Sequence, residues 1–239
     1  MSHKPGEKKW FPLESNDVVM NKYIEGMGVD TSKVQFNEVL SMEDWALDMV
    51  PQPVHGVVML YPIKDVQEEY RKQQEAKIAA EGQTVSPNVK YIKQTIGNAC
   101  GTIGILHALT NCDKSVLGLP DGDSYIEKFL SSTSGKSPDE VAQYLNEDDG
   151  LEATHEEAAN EGQTAQVDID EPVNNHFVCF SHVDGHLYEL DGRKNGPINH
   201  GKTAPATFLA DACAVVKEYM ARDPEEVRFT IVALSAPAT

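Results

Sequence analysis

The pair Asp184-Gly185 lies between two mostly apolar runs, His176 to Val183 and His186 to Leu190. Asp-Gly supplies the positive-φ residues of a two-residue turn, so the spacing predicts a tight antiparallel hairpin. With those two residues as the loop, paired positions sum to 369, so Val183 faces His186 and Val178 faces Asp191. Side chains alternate along a strand, which places His176, Val178 and Phe180 on one face with Leu187, Glu189 and Asp191. His176 and Asp191 are then diagonal neighbours, roughly 7 Å apart at the backbone and within side-chain reach. A slip of one residue would put them on opposite faces.

Other segments fill in the architecture. Val19, Met20, Tyr23, Ile24 and Met27 recur at helical spacing, with cap candidates from Ser15 to Asp17 and Gly26 and Gly28 as stops. Val34 to Leu40 and Val54 to Tyr61 have strand length, the second closed by Pro62. Asp65 to Glu81 is charged and rich in Ala and Gln, which predicts an exposed helix ended by Gly82. Ala99 to Cys112 is apolar on most sides, the mark of a buried helix. Short helices are expected over Tyr125 to Leu130 and Pro138 to Leu145, a further amphipathic helix over Phe208 to Met220, and a last strand over Arg228 to Leu234. Strands from both ends of the chain, separated by helices, indicate an α+β fold in a single domain, residues 1–239. Between the hairpin and the preceding helix, Asn146 to Val173 carries many acidic and small polar residues and almost no large apolar one. It is expected to be a long unstructured connection, either a solvated linker or a lid.

Bulk properties exclude several classes. The chain of 239 residues carries a formal charge of −18, which repels phosphate backbones and argues against nucleic acid as a partner. No apolar run approaches the roughly 20 residues that span a bilayer, and Met1 to Lys9 lacks the apolar core of a signal peptide. A cytoplasmic protein without membrane association is the simplest expectation, with the nucleus left open. Cys100, Cys112, Cys179 and Cys213 form no C-x-x-C pair, so neither a zinc site nor a disulfide framework is indicated, and no set of the histidines suggests a metal.

Cys100 has surroundings suited to reaction. It follows Gly97-Asn98-Ala99 and precedes Gly101, where a loop turns into the apolar helix. Unpaired N–H groups and partial positive charge at a helix N-terminus favour thiolate over thiol. A carboxylate at Asp191 can accept the imidazole N–H of His176 and stabilise the imidazolium formed when His176 draws the thiol proton. Gln94, six residues before Cys100, is a candidate oxyanion donor beside the backbone N–H of Cys100. Gln, Cys, His and Asp in that order compose a thiol-hydrolase set. The blander reading is a structural histidine and an ordinary turn aspartate. Cys112, Cys179 and Cys213 sit at apolar positions and are expected in the core, as is His107, and Cys179 falls on the hairpin face opposite His176.

At these residues the sequence resembles the ubiquitin C-terminal hydrolases of the small single-domain type. The matching segments are Gln94-Thr95-Ile96-Gly97-Asn98-Ala99-Cys100-Gly101-Thr102, His176-Phe177, and Gly185-His186-Leu187-Tyr188-Glu189-Leu190-Asp191-Gly192-Arg193. Similarity continues through Trp10 to Glu14, His155 to Thr164, Pro197 to Gly201, Arg222-Asp223-Pro224 and Arg228-Phe229. Glu14-Ser15-Asn16-Asp17 departs from the family, which often carries an Ala and a Pro there.

The resemblance implies an antiparallel sheet between helices, related to papain-like proteases, with a knotted backbone. It implies Cys100 as nucleophile, His176 as general base and acid, Asp191 as the orienting carboxylate and Gln94 as oxyanion donor, with no cofactor. It further implies hydrolysis of amides, esters or thioesters after the terminal glycine of ubiquitin, with small or unstructured leaving groups preferred. The acidic segment around 147–170 corresponds to the family's crossover loop over the active site, which turns the linker reading into a lid. Ubiquitin is the implied partner, Nedd8 stays open, and a monomer is the default. A ubiquitin binder with little turnover, and a papain-like amidase on unrelated substrates, remain as rivals.

Overall fold

Asp184 and Gly185 both adopt positive φ, 49° and 76°, and close a hairpin between β3 (Asn175–Val183) and β4 (His186–Leu190). The register is the one expected from the turn: Val183 pairs with His186 and Cys179 with Leu190. This computed structural model describes residues 8–119, 124–162 and 173–238. Among them, β1 (Gln35–Glu38), β2 (Val54–Pro62), β5 (Ile198–Lys202) and β6 (Thr230–Ser235) join the hairpin in one antiparallel sheet. The strand order is β1-β6-β2-β3-β4-β5, so β2 and β3 are interior, and their long apolar runs are covered on both faces.

Helices cover those two faces. On one side lie α1 (Asp17–Gly26), α4 (Cys100–Thr110), α5 (Tyr125–Ser132), α6 (Pro138–Asn146) and α7 (Asp149–Asn160). Their Met20, Ile24, Ile105, Leu106, Phe129, Leu145 and Leu151 pack with Val58, Phe177 and Cys179 of the sheet. On the other side α8 (Phe208–Ala221) sets Phe208, Ala212, Val216 and Tyr219 against Val57, Met59, Tyr61, Val178 and Phe180. Alternate residues of β2 and β3 thus feed different cores, as a period of two requires. The remaining helices, α2 (Asp44–Leu47) and α3 (Asp65–Glu81), lie nearer the surface. All eleven residues of α4 are buried, which explains why its sequence shows no polar face.

Several boundaries follow local chemistry. The side chain of Asn16 accepts from Val19 N at 2.8 Å and starts α1. Ser137 and Glu140 form a reciprocal capping box with Pro138 in the first turn of α6. α3 spans the expected residues and stops at Gly82.

Two expectations need correction. The stretch from Asn146 to Val173 is not a structureless connection, because α7 occupies 149–160 of it. Leu151, His155, Ala158 and Ala159 recur at helical spacing and are buried, and the Asp148 carboxylate accepts from Leu151 N at 2.9 Å. That narrow stripe buries a helix whose average composition is acidic, so composition concealed it. The remainder of the proposed crossover loop, 163–170, lies outside the described residues. Cys112 is the second difference: it follows the end of α4 and is only partly buried, whereas Cys179 and Cys213 are core.

Candidate active site

Asn98 is left-handed, with φ of 59°, and turns the chain from the Gln94 segment into α4. Asn tolerates this region because its side chain is short and polar, so the turn falls on Asn98 rather than on the flanking glycines. Cys100 is the first residue of α4, and its N-cap, Ala99, offers no side-chain acceptor to the first turn. The N–H groups of that turn stay available. Burial pushes the Cys100 thiol up, but a hydrogen bond and charge interaction with His176, together with the N–H groups of Phe177 and Gly101, outweigh it and hold the thiol below its usual range.

His176, at the start of β3, is buried and presents Nε2 to Asp191 Oδ1 at 2.7 Å. That bond leaves Nδ1 for the sulfur of Cys100. Burial disfavours the imidazolium, but Asp191 and Cys100 overcome it and raise the His176 pKa to about 9. Asp191 directly follows β4, and its Oδ1 also accepts from Arg193 N at 2.9 Å. Burial alone would raise its carboxyl, yet His176 and the Lys194 ammonium hold it below the usual carboxylate range. The three residues predicted from motif and register are therefore in contact, and the downward shift of Cys100 and the upward shift of His176 both favour a thiolate–imidazolium pair beside the Asp191 carboxylate.

Gln94 is fastened to the same turn, with its N–H donating to Gly192 O at 2.9 Å. Its side-chain amide donates to Ile96 O at 3.2 Å, and Oε1 is buried without a partner. Gln94 therefore makes no hydrogen bond to Cys100, His176 or Asp191, but the second amide hydrogen is unspent. No room exists for a side chain at Gly192: a Cβ there would lie 2.9 Å from both Gln94 Cβ and Ile103 Cγ2.

Beneath the three lies a second buried layer that motif reading did not single out. Glu189 is fully buried and paired with Lys194, also buried; it further accepts from Tyr219 Oη at 2.8 Å and meets His200 Nε2 at 2.8 Å. Tyr91 Oη lies 2.8 Å from Asp191 O and 2.5 Å from Lys194 O, bracing the turn after β4. The sequence signal was Glu189 at a core-facing strand position, where a carboxylate needs a buried cation. His107 is a core residue whose Nε2 accepts from Ile92 N at 2.9 Å, while its Nδ1 is buried without a partner among the described residues.

Cys100 opens onto a cleft of about 290 Å³ lined by Phe11 to Ser15, Leu60, Asn98, Ala159, Gly162, Val173, Asn175 and Phe177. Such a site can form a covalent adduct with a slender carbonyl substrate: thiolate to attack, imidazolium to protonate the leaving group, N–H groups to receive the oxyanion. Among the described residues no three His, Cys, Asp or Glu side chains cluster as a metal site, and no helix is long and apolar enough to cross a membrane.

The chain is similar to known proteins over nearly its whole length. The chain is 42% identical over 234 residues to ubiquitin carboxyl-terminal hydrolase 3 of Arabidopsis thaliana, covering 98% of this chain and 97% of that protein. It is 42% identical over 227 residues to ubiquitin carboxyl-terminal hydrolase isozyme L1 of Homo sapiens, covering 95% and 98%. The fold matches the catalytic domain of Trichinella spiralis UCH37, solved bound to ubiquitin vinyl methyl ester, with a TM-score of 0.76 at 23% identity over 96% of this chain and 97% of that one. The model of ubiquitin carboxyl-terminal hydrolase family 1 matches residues 10–221, and the chain belongs to that family of cysteine hydrolases.

Proposed function

We propose that this protein, as one catalytic domain, hydrolyses amide, ester or thioester bonds after the C-terminal glycine of ubiquitin, releasing small or unstructured adducts. The observation that carries the reading is the buried contact of Cys100, His176 and Asp191 at the N-terminus of α4. The Cys100 thiolate attacks the terminal carbonyl, and the backbone N–H groups at the start of α4 with the free amide hydrogen of Gln94 receive the oxyanion. His176 protonates the leaving group, then activates the water that cleaves the acyl-enzyme. No cofactor enters these steps. Asp191 keeps the imidazole oriented throughout.

Substrate choice follows from shape and charge. A cleft of about 290 Å³ suits an extended Gly-Gly tail better than a branched segment. The charge of −18 favours a partner with a basic face, which ubiquitin's tail provides. The ubiquitin vinyl methyl ester carried by the UCH37 structure supports ubiquitin as the substrate class. Nedd8 is an open alternative substrate; the protein acts as a monomer in the cytoplasm, with the nucleus open.

The test is hydrolysis of ubiquitin carrying a C-terminal fluorogenic amide by wild type and Cys100→Ala. Turnover lost in the variant is expected. Tight ubiquitin binding without wild-type turnover would make the protein a binder, and equal cleavage of short peptides ending in Gly-Gly would remove ubiquitin recognition while leaving the cysteine chemistry. Parallel assays with Nedd8 rank the two modifiers.

A further inference from the structure

The two sides of the cleft belong to different parts of the chain, and a single buried imidazole joins them. One side is the strap Trp10–Ser15 before α1; the other includes Ala159 and Gly162, at and just beyond the end of α7. His155, on α7, is fully buried between them. Its Nε2 lies 2.6 Å from Phe11 O, and its Nδ1 lies 2.7 Å from Thr102 Oγ1 on α4, two residues after Cys100. Thr102 Oγ1 lies in turn 2.9 Å from Tyr23 Oη on α1.

The proton directions in this chain are forced. The Phe11 carbonyl can only accept, so Nε2 carries the hydrogen and Nδ1 has a lone pair. Thr102 must then donate to Nδ1, and its oxygen accepts from Tyr23. The imidazole is neutral, as burial requires, with its pKa pushed down to about 4. Every polar atom of the line is paired, while Trp10 covers the ring at 4.5 Å between centroids.

We infer that His155 is a positioning residue for the substrate cleft, fastening the strap and α7 to the nucleophile helix and so setting the spacing of the cleft walls. Further contacts tie the same parts together. Trp10 N donates to Gly97 O at 2.9 Å, and Lys8 Nζ lies 2.7 Å from Glu152 Oε2 on α7. A methyl on Gly101 would sit 3.0 Å from Leu13, so the strap presses directly on the first turn of α4. His155 does not touch Cys100, His176 or Asp191. Its removal therefore acts on substrate seating and leaves the thiolate–imidazolium pair in place.

The inference rests on the hydrolase reading above, and the test separates the two. His155→Leu removes both hydrogen bonds at similar volume; Thr102→Val removes only the hydroxyl and guards against misfolding of the first variant. Each net hydrogen bond is worth about 1 kcal/mol, or roughly fivefold. KM for the ubiquitin fluorogenic amide should rise about fivefold in Thr102→Val and more in His155→Leu, with kcat within about twofold of wild type. The rate and pH profile of Cys100 alkylation by iodoacetamide should not move. Trypsin cleavage after Lys8 and Lys9, followed by mass, should accelerate by a similar factor as the strap detaches. An unchanged KM in a folded variant overturns the inference. So does a fall in kcat matched by slower alkylation, which would place His155 in the chemistry. If wild type proves inactive on ubiquitin, the functional reading fails alone, and strap release decides the fastening role: unchanged trypsin cleavage overturns it.

Discussion

Gly192→Ala tests whether the oxyanion donor and the nucleophile helix are held by direct backbone approach. The added Cβ would meet Gln94 Cβ and Ile103 Cγ2 at 2.9 Å and Gln94 N at 3.1 Å. Carbon atoms settle at about 3.5–4.0 Å, so the turn after β4 must separate from the Gln94 segment by about 0.6–1 Å. Rotating a side chain cannot relieve this, because the Gln94 contacts are its backbone and its own Cβ, and Gln94 N is bonded to Gly192 O. Overpacking of this kind costs about 1–3 kcal/mol of stability. In a protein of this size that lowers Tm by roughly 2–4 °C per kcal/mol. A 1 Å displacement of a catalytic group can cost about 100-fold in rate. We therefore expect kcat on the ubiquitin fluorogenic amide to drop about 30- to 100-fold, well below the melting transition, with KM little changed. Calorimetry and steady-state kinetics on the same preparation measure both quantities. A folded variant retaining more than about one third of wild-type kcat would refute the claim that this approach positions Gln94, as would an activity loss that merely follows the unfolded fraction.

Three other outcomes are expected. Because Cys100 is held below the thiol range and His176 near 9, kcat/KM should fall as pH drops through the Cys100 value and fall again as pH rises through about 9, when the proton destined for the leaving group is lost. A profile still rising at pH 10 would contradict the ion pair. Gln94→Ala should lower kcat by about 100-fold without altering Cys100 alkylation, since one oxyanion donor is worth about 3 kcal/mol in the transition state but does not set the thiolate. Lys194→Met strands the buried Glu189 carboxylate; breaking such a pair costs about 3–5 kcal/mol, so thermal denaturation should begin roughly 10 °C earlier. Glu189 is held below the usual carboxylate range by Lys194 and His200, so that stabilisation is present above the unfolded carboxyl value and shrinks as pH falls below about 4. A melting temperature within 2 °C of wild type, measured by calorimetry at pH 7, would show the pair to be dispensable.

What the amino-acid order alone determined is local. Asp184-Gly185 dictated a two-residue turn, and the turn dictated register, so the local sequence alone brings His176 and Asp191 together. The apolar stretch after Ala99 announced a buried helix with Cys100 at its positive end. Even α7 was present as a stripe of four residues, hidden only because its solvent face is so acidic.

Tertiary structure decided everything that joins distant segments. The meeting of Cys100 with His176 across 76 positions depends on how α4 packs against β3, and no periodicity encodes that packing. The same holds for Gln94 against Gly192, for Lys194 beneath Asp191, and for His155 between the strap and α7. Local patterns report which face a residue presents. The partner on that face is chosen by the whole chain, because burying a polar group without one costs more than any single helix or strand contributes.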